Sequence, residues 1–134
     1  MIPLVYHPRY NITAWGVERL HPFDGRKYRL IHDGLIARGL RKSSEFSRPR
    51  PIAEKELLRV HAREYLGSLR KPQILAKILE IPLVRRLPSW IVNWRILSPM
   101  RYATGGTLLA CRMALESGVA INLGGGFHHA AFDR

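Results

Sequence analysis

The chain has 134 residues, 46% of them hydrophobic, enough apolar content for one compact core and too much for a disordered segment. No apolar run approaches the ~18 residues of a membrane span, and Met1-Ile2-Pro3-Leu4-Val5-Tyr6 lacks the features of a secretory leader, so a cytoplasmic location with no membrane partner is expected. The formal charge of +12 raises nucleic acid as a partner, but Lys and Arg are scattered from Arg9 to Arg134 without a basic block, so a solvated surface is the stronger reading.

In chain order, Ile2 to Tyr6 predicts a buried strand feeding a loop at His7-Pro8. Between Asp24 and Leu40 the residues Tyr28, Ile31, Leu35 and Ile36 recur at helical spacing, with Gly39 as the stop. Ser43 to Pro51, rich in Ser, Arg and Pro, predicts a surface connection. A short helix carrying Leu57, Leu58 and His61 follows, with Tyr65 and Leu66 a turn further on, and then a second over Gln73 to Leu79 that ends before Pro82. Ser98-Pro99 reads as a helix start, Ser as cap and Pro at the first position, for a helix reaching Ser117 and stopped by Gly118. Its stripe of Ala103, Thr107, Ala110 and Ala114 would let it lie close to a sheet. The lone Cys111 excludes an internal disulfide and is expected to pack inside this helix's apolar pattern. Val119 to Leu123 predicts a parallel strand covered on both faces. The order favours an α/β sheet protein, whose chemistry sits beyond the carboxyl ends of the strands.

That position is occupied by Gly124-Gly125-Gly126-Phe127-His128-His129-Ala130. Glycines permit a sharp exit from the strand and close approach to a ligand or another loop. Neighbouring histidines cannot share one face of a regular element, but on a loop two imidazoles can reach one substrate from different directions. One could take a proton from water while the other holds or polarises the reacting group. A phosphate-cradling loop is the poorer alternative, because no Lys-Ser or Lys-Thr follows the glycines. On the residues alone, catalysis and hydrogen-bonded surface structure both stay open. His7, His32 and His61 lie beside apolar positions and read as packed or capping residues, and none has metal-ligand spacing.

The segment Ala120-Ile121-Asn122-Leu123-Gly124-Gly125-Gly126-Phe127-His128-His129-Ala130 resembles the strand and tandem-His loop of histone deacetylases. Leu57-Leu58-Arg59-Val60-His61 with Tyr65-Leu66, and Arg101 with Thr104-Gly105-Gly106-Thr107, resemble further family segments in the same order. Tyr10-Asn11-Ile12-Thr13, Leu20-His21-Pro22-Phe23-Asp24 and Glu80-Ile81-Pro82 are similar to class IV members. The resemblance implies an arginase-deacetylase-like fold, a parallel sheet covered by helices, of which residues 1–134 would be an incomplete N-terminal portion. It implies zinc-dependent hydrolysis of N-acyl-lysine amides on a protein or a small acylated amine. His129 would be general base and acid, and His128 the hydrogen-bonding partner that stabilises the transition state. Gly126 and Phe127 would contact substrate, Phe127 at the inner end of the acyl tunnel. Lys27 would stand where an Arg usually lines an internal cavity, with Phe23, Gly25 and Lys27 departing from the family's Glu, Pro and Arg.

In the family, two Asp and one His beyond the tandem-His loop hold the zinc. No metal ligand is therefore assigned within this chain, Asp133 included, and none is expected to bind the chain alone. No carboxylate lies between Glu80 and Glu116, where many members carry an acidic rim residue that grips substrate amides. The reading is a truncated and inactive deacylase portion prone to self-association. The alternatives are a basic nucleic-acid-binding module and a non-catalytic partner that completes its sheet with another chain.

Overall fold

The computed structural model describes residues 1–12, 24–127 and 130–133. Three short strands, β1 (Leu4–Val5), β2 (Phe46–Ser47) and β3 (Ile121–Asn122), form a parallel sheet in the order β2-β1-β3. Leu4 is opposite Phe46 and Ile121, and Val5 opposite Ser47 and Asn122. The Ile121 amide donates to the Pro3 carbonyl, the Leu123 amide to Val5 and the Tyr6 amide to Ser47. Since side chains alternate along a strand, Leu4 and Tyr6 fall on one face and Val5 on the other. All three are buried, as a central strand flanked by helices requires.

Helix α1 (Lys27–Ala37) packs Tyr28, Leu35 and Ile36 into a cluster with Leu4, Tyr6, Tyr10 and Phe46. It ends as Gly39 predicts. Gly39 takes a φ of +67°, its amide donates to Ile36, and the Leu40 amide reaches back to Leu35, so the last carbonyls are satisfied by a left-handed glycine stop. Three short helices follow, α2 (Glu54–Leu57), α3 (Arg63–Ser68) and α4 (Pro72–Ile78). A 3-10 turn over Pro82–Arg86 leads to α5 (Ser89–Val92). Leu75, Ala76, Val84, Val92, Ile96 and Leu97 build a second apolar cluster here, against which Phe127 packs.

The long helix α6 (Ser98–Ser117) is continuous with α5 through a π-helical stretch, Asn93–Leu97, so Ser98 does not cap a fresh start as its sequence suggested. Pro99 explains the widened turn. Proline inside a helix lacks an amide and crowds the carbonyl four residues back, and the relaxed i→i−5 bonding immediately before it, Ser98 amide to Asn93 carbonyl, absorbs both. Gly118, at a φ of +80°, ends the helix as expected.

Three further expectations need correction. Ser43 to Pro51 holds β2, whose Phe46 is buried; a two-residue strand is too short to show alternation. Cys111 is exposed, because the buried stripe of α6 runs through Ala103, Gly106 and Ala110 and position 111 lies about 100° further round. Among the described residues Val119 to Leu123 is not covered on both faces: β3 lies at the edge of their sheet, with Val119 48% and Ile121 45% exposed. No helix among the described residues is long and apolar enough to cross a membrane.

Candidate functional site

Because α6 enters β3 at that strand's amino end, the first turn of α6 and the exit of β3 lie together at the carboxyl edge of the sheet. The 3-10 turn after β1, Pro8–Tyr10, arrives at the same edge and packs on α6. Its Tyr10 is fully buried and fills a notch between helix and loop. A Cβ at Gly124 would lie 2.6 Å from Tyr10 Cδ2, and one at Gly106 would overlap Tyr10 Oη. The Tyr10 hydroxyl donates to Asn122 Oδ1 at 2.8 Å. Asn122 Nδ2 in turn donates to the Ala103 carbonyl at 3.0 Å and to Thr107 Oγ1 at 3.2 Å, while the Gly124 amide donates to Asn122 Oδ1 at 3.4 Å. One side chain therefore ties strand, helix, tyrosine and glycine loop. Burial pushes the Tyr10 phenol above its usual pKa, which keeps the proton this network needs.

The glycines act here through close approach. A Cβ at Gly126 would come within 2.8 Å of Thr104 Oγ1, whereas Gly125 faces open space. Phe127 carries the loop from the first apolar cluster, where Leu123 packs, into the second. His128 and His129 lie outside the described residues, as does His21. The chain on either side of the pair is tied: the Ala130 amide donates to the Phe127 carbonyl at 3.4 Å. Beyond it, His61 Nδ1 donates to the Ala131 carbonyl at 2.7 Å, and the Ala62 amide to Phe132 at 2.9 Å. His61 thus has the structural part expected of it, anchoring the exit of the loop. His7 also caps: its Nδ1 accepts from the Arg9 amide at 3.0 Å and its ring stacks on Tyr102. Burial, then Arg48 and Arg9, lowers its pKa, so the accepting neutral form is favoured. His32 stacks on Tyr6 beside Asp33.

Of the expected substrate-contacting residues, Gly126 and Phe127 share the loop, while Lys27 opens α1 with its ammonium 5.2 Å from the Tyr28 ring centroid. Tyr28 meets Tyr10 edge-on at 6.1 Å. Two clefts among the described residues, of about 370 and 160 Å³, are lined by neither Lys27 nor Phe127. Among the described residues no three His, Cys, Asp or Glu side chains form a group that could hold a metal ion. Sequence reasoning missed Tyr10, Asn122 and Gly106 as the frame of the loop. Their signal was present: a polar Asn in an apolar strand, and two glycines inside a helix, each costing about 1 kcal/mol relative to Ala unless something must come close.

Residues 21–134 match the histone deacetylase domain, and the match runs through the framed loop to the last residue. The chain belongs to the histone deacetylase family. Across 99% of its length it is 37% identical to histone deacetylase 2 of Arabidopsis thaliana, of which it covers 34%. It is 31% identical over 96% of its length to an uncharacterised protein of Picosynechococcus, of which it covers 40%. To the probable histone deacetylase 19 of Zea mays it is 30% identical over 82% of the chain and 22% of the relative. The chain thus spans between about a fifth and two fifths of these relatives.

Proposed function

We propose that Gly124 through His129 is the catalytic loop of a class IV-type lysine deacylase. The observation that carries this is the family match through a loop whose two ends are tied to α6, β1 and the α2–α3 connection. Hydrolysis adds water to the acyl carbon and breaks its bond to the lysine nitrogen, giving a carboxylic acid and a free amine. His129 takes the proton from the attacking water and delivers it to the departing nitrogen, while His128 donates a hydrogen bond to the developing charge. Phe127, packed against the second apolar cluster, gives the acyl chain an apolar wall, and Gly126 lets the loop lie close to Thr104 beside it. Lys27 is assigned to the internal cavity. Zinc would supply carbonyl polarisation and a more acidic water. Its donors do not assemble among the described residues. Class IV character rests on Tyr10-Asn11-Ile12-Thr13, Leu20-His21-Pro22-Phe23-Asp24 and Glu80-Ile81-Pro82, and it admits long-chain acyl groups beside acetyl.

The test is a chimera in which this chain replaces the matching third of the Arabidopsis relative, assayed for amine release from acetyl-lysine and long-chain acyl-lysine peptides. Release from either peptide is expected. A cooperatively folded chimera that releases neither contradicts the proposal.

A further inference from the structure

A cleft of about 370 Å³ opens where the first turn of α6 meets the Pro8–Tyr10 turn and the end of α3. Arg9, Arg70 and Arg101 all line it, together with Ser98 and Tyr102. Their charge is poorly balanced. Arg70 reaches Glu54 at 3.4 Å, but Glu54 also serves Arg63 at 3.9 Å. No carboxylate among the described residues lies within ion-pair distance of Arg9 or Arg101, and the sequence places none between Glu80 and Glu116. The Arg9 guanidinium is held over the Tyr102 ring at 5.4 Å, which restrains it at the cleft wall.

Guanidinium forks from three separate elements suit a group with oxygens on several sides. A carboxylate offers two oxygens in one plane, whereas a phosphoryl dianion offers three or more in a tetrahedral array and carries more of the charge the cleft lacks. We propose that this cleft binds a phosphoryl group, supplied either by a small phosphate compound or by a phosphorylated side chain. The inference is independent of the deacylase reading, since it concerns binding alone.

Isothermal titration of the 134-residue chain at constant ionic strength, with pyrophosphate as one probe and a phosphoserine peptide as the other, tests it. Saturable one-site binding is expected for at least one probe, and which of them binds identifies the source. Arg101→Gln or Arg9→Gln should weaken it by about tenfold or more, as loss of a charge-assisted pair does. Arg38→Gln, which removes equal charge at the C-terminal end of α1, should leave it unchanged. Arg101→Lys, which keeps the charge but not the fork, should also weaken it. If Arg101→Gln fails to unfold cooperatively, Arg70→Gln at an exposed position carries the same comparison. Binding of neither probe, or equal weakening by Arg38→Gln and the cleft variants, would overturn the proposal in favour of diffuse basic charge.

Discussion

At the scale of single residues, the loop depends on space that glycine leaves open. Gly106→Ala would set a methyl against Tyr10 Oη and 2.7 Å from Asn122 Oδ1, and neither neighbour can withdraw without breaking the hydrogen bonds that hold Gly124. Overpacking of this kind costs about 1–3 kcal/mol. Gly34 lies inside α1 with nothing within 4 Å of its Cβ position, so Gly34→Ala should stabilise by about 0.5–1 kcal/mol through helix propensity. Urea unfolding of the two variants should give opposite signs. A Gly106→Ala protein as stable as the parent would mean that Tyr10 does not occupy the notch.

At the scale of elements, two predictions concern α2 and β3. Glu56 accepts from the Ala53 amide at 2.8 Å and pairs with Arg50, and these bonds, the Arg50 one first, hold its carboxyl down to about 2. A carboxylate with a depressed folded pKa adds stability above its ordinary value of 4.5, and the gain is lost as pH falls through about 2. Glu56→Gln should therefore flatten the decline in thermal stability across that acid window; an unchanged slope would count against the pairing. Among the described residues β3 presents an unpaired apolar edge with Ile121 45% exposed, an arrangement that templates association. Light scattering should show self-association of the 134-residue chain that Ile121→Lys reduces, and indifference to the substitution would remove the edge as its cause.

The same scale shows what the sequence could tell. Helix α4 and the stops at Gly39 and Gly118 were readable because apolar spacing and left-handed glycines act locally. The parallel pairing of β3 also followed from its apolar run. β2 was hidden, since two residues cannot display a period, and the exposure of Cys111 follows from which side of α6 meets the sheet. The continuity of α5 into α6 depended on a π turn that Pro99 signals only once the flanking segment is known to be helical. At the site, the tandem histidines and the glycine loop stood out by composition. The Tyr10–Asn122 frame joins positions far apart in the chain, and that proximity comes from the sheet.

For the whole molecule, the framed loop and the basic cleft share one edge of the sheet, and Thr104 beside Gly126 lies one helical turn from Arg101 on α6. The central claim is that the tandem histidines perform chemistry while His61 anchors the exit of their loop. It is tested most directly by turnover of an acyl-lysine peptide by the chimera with the Arabidopsis relative, comparing His129→Ala with His61→Ala. His129→Ala should lose about a hundredfold to ten-thousandfold, the usual range for a general acid-base group. His61→Ala, which removes one hydrogen bond to Ala131, should lose far less turnover once its lower thermal stability is allowed for. Equal losses from both substitutions in folded protein would contradict the assignment.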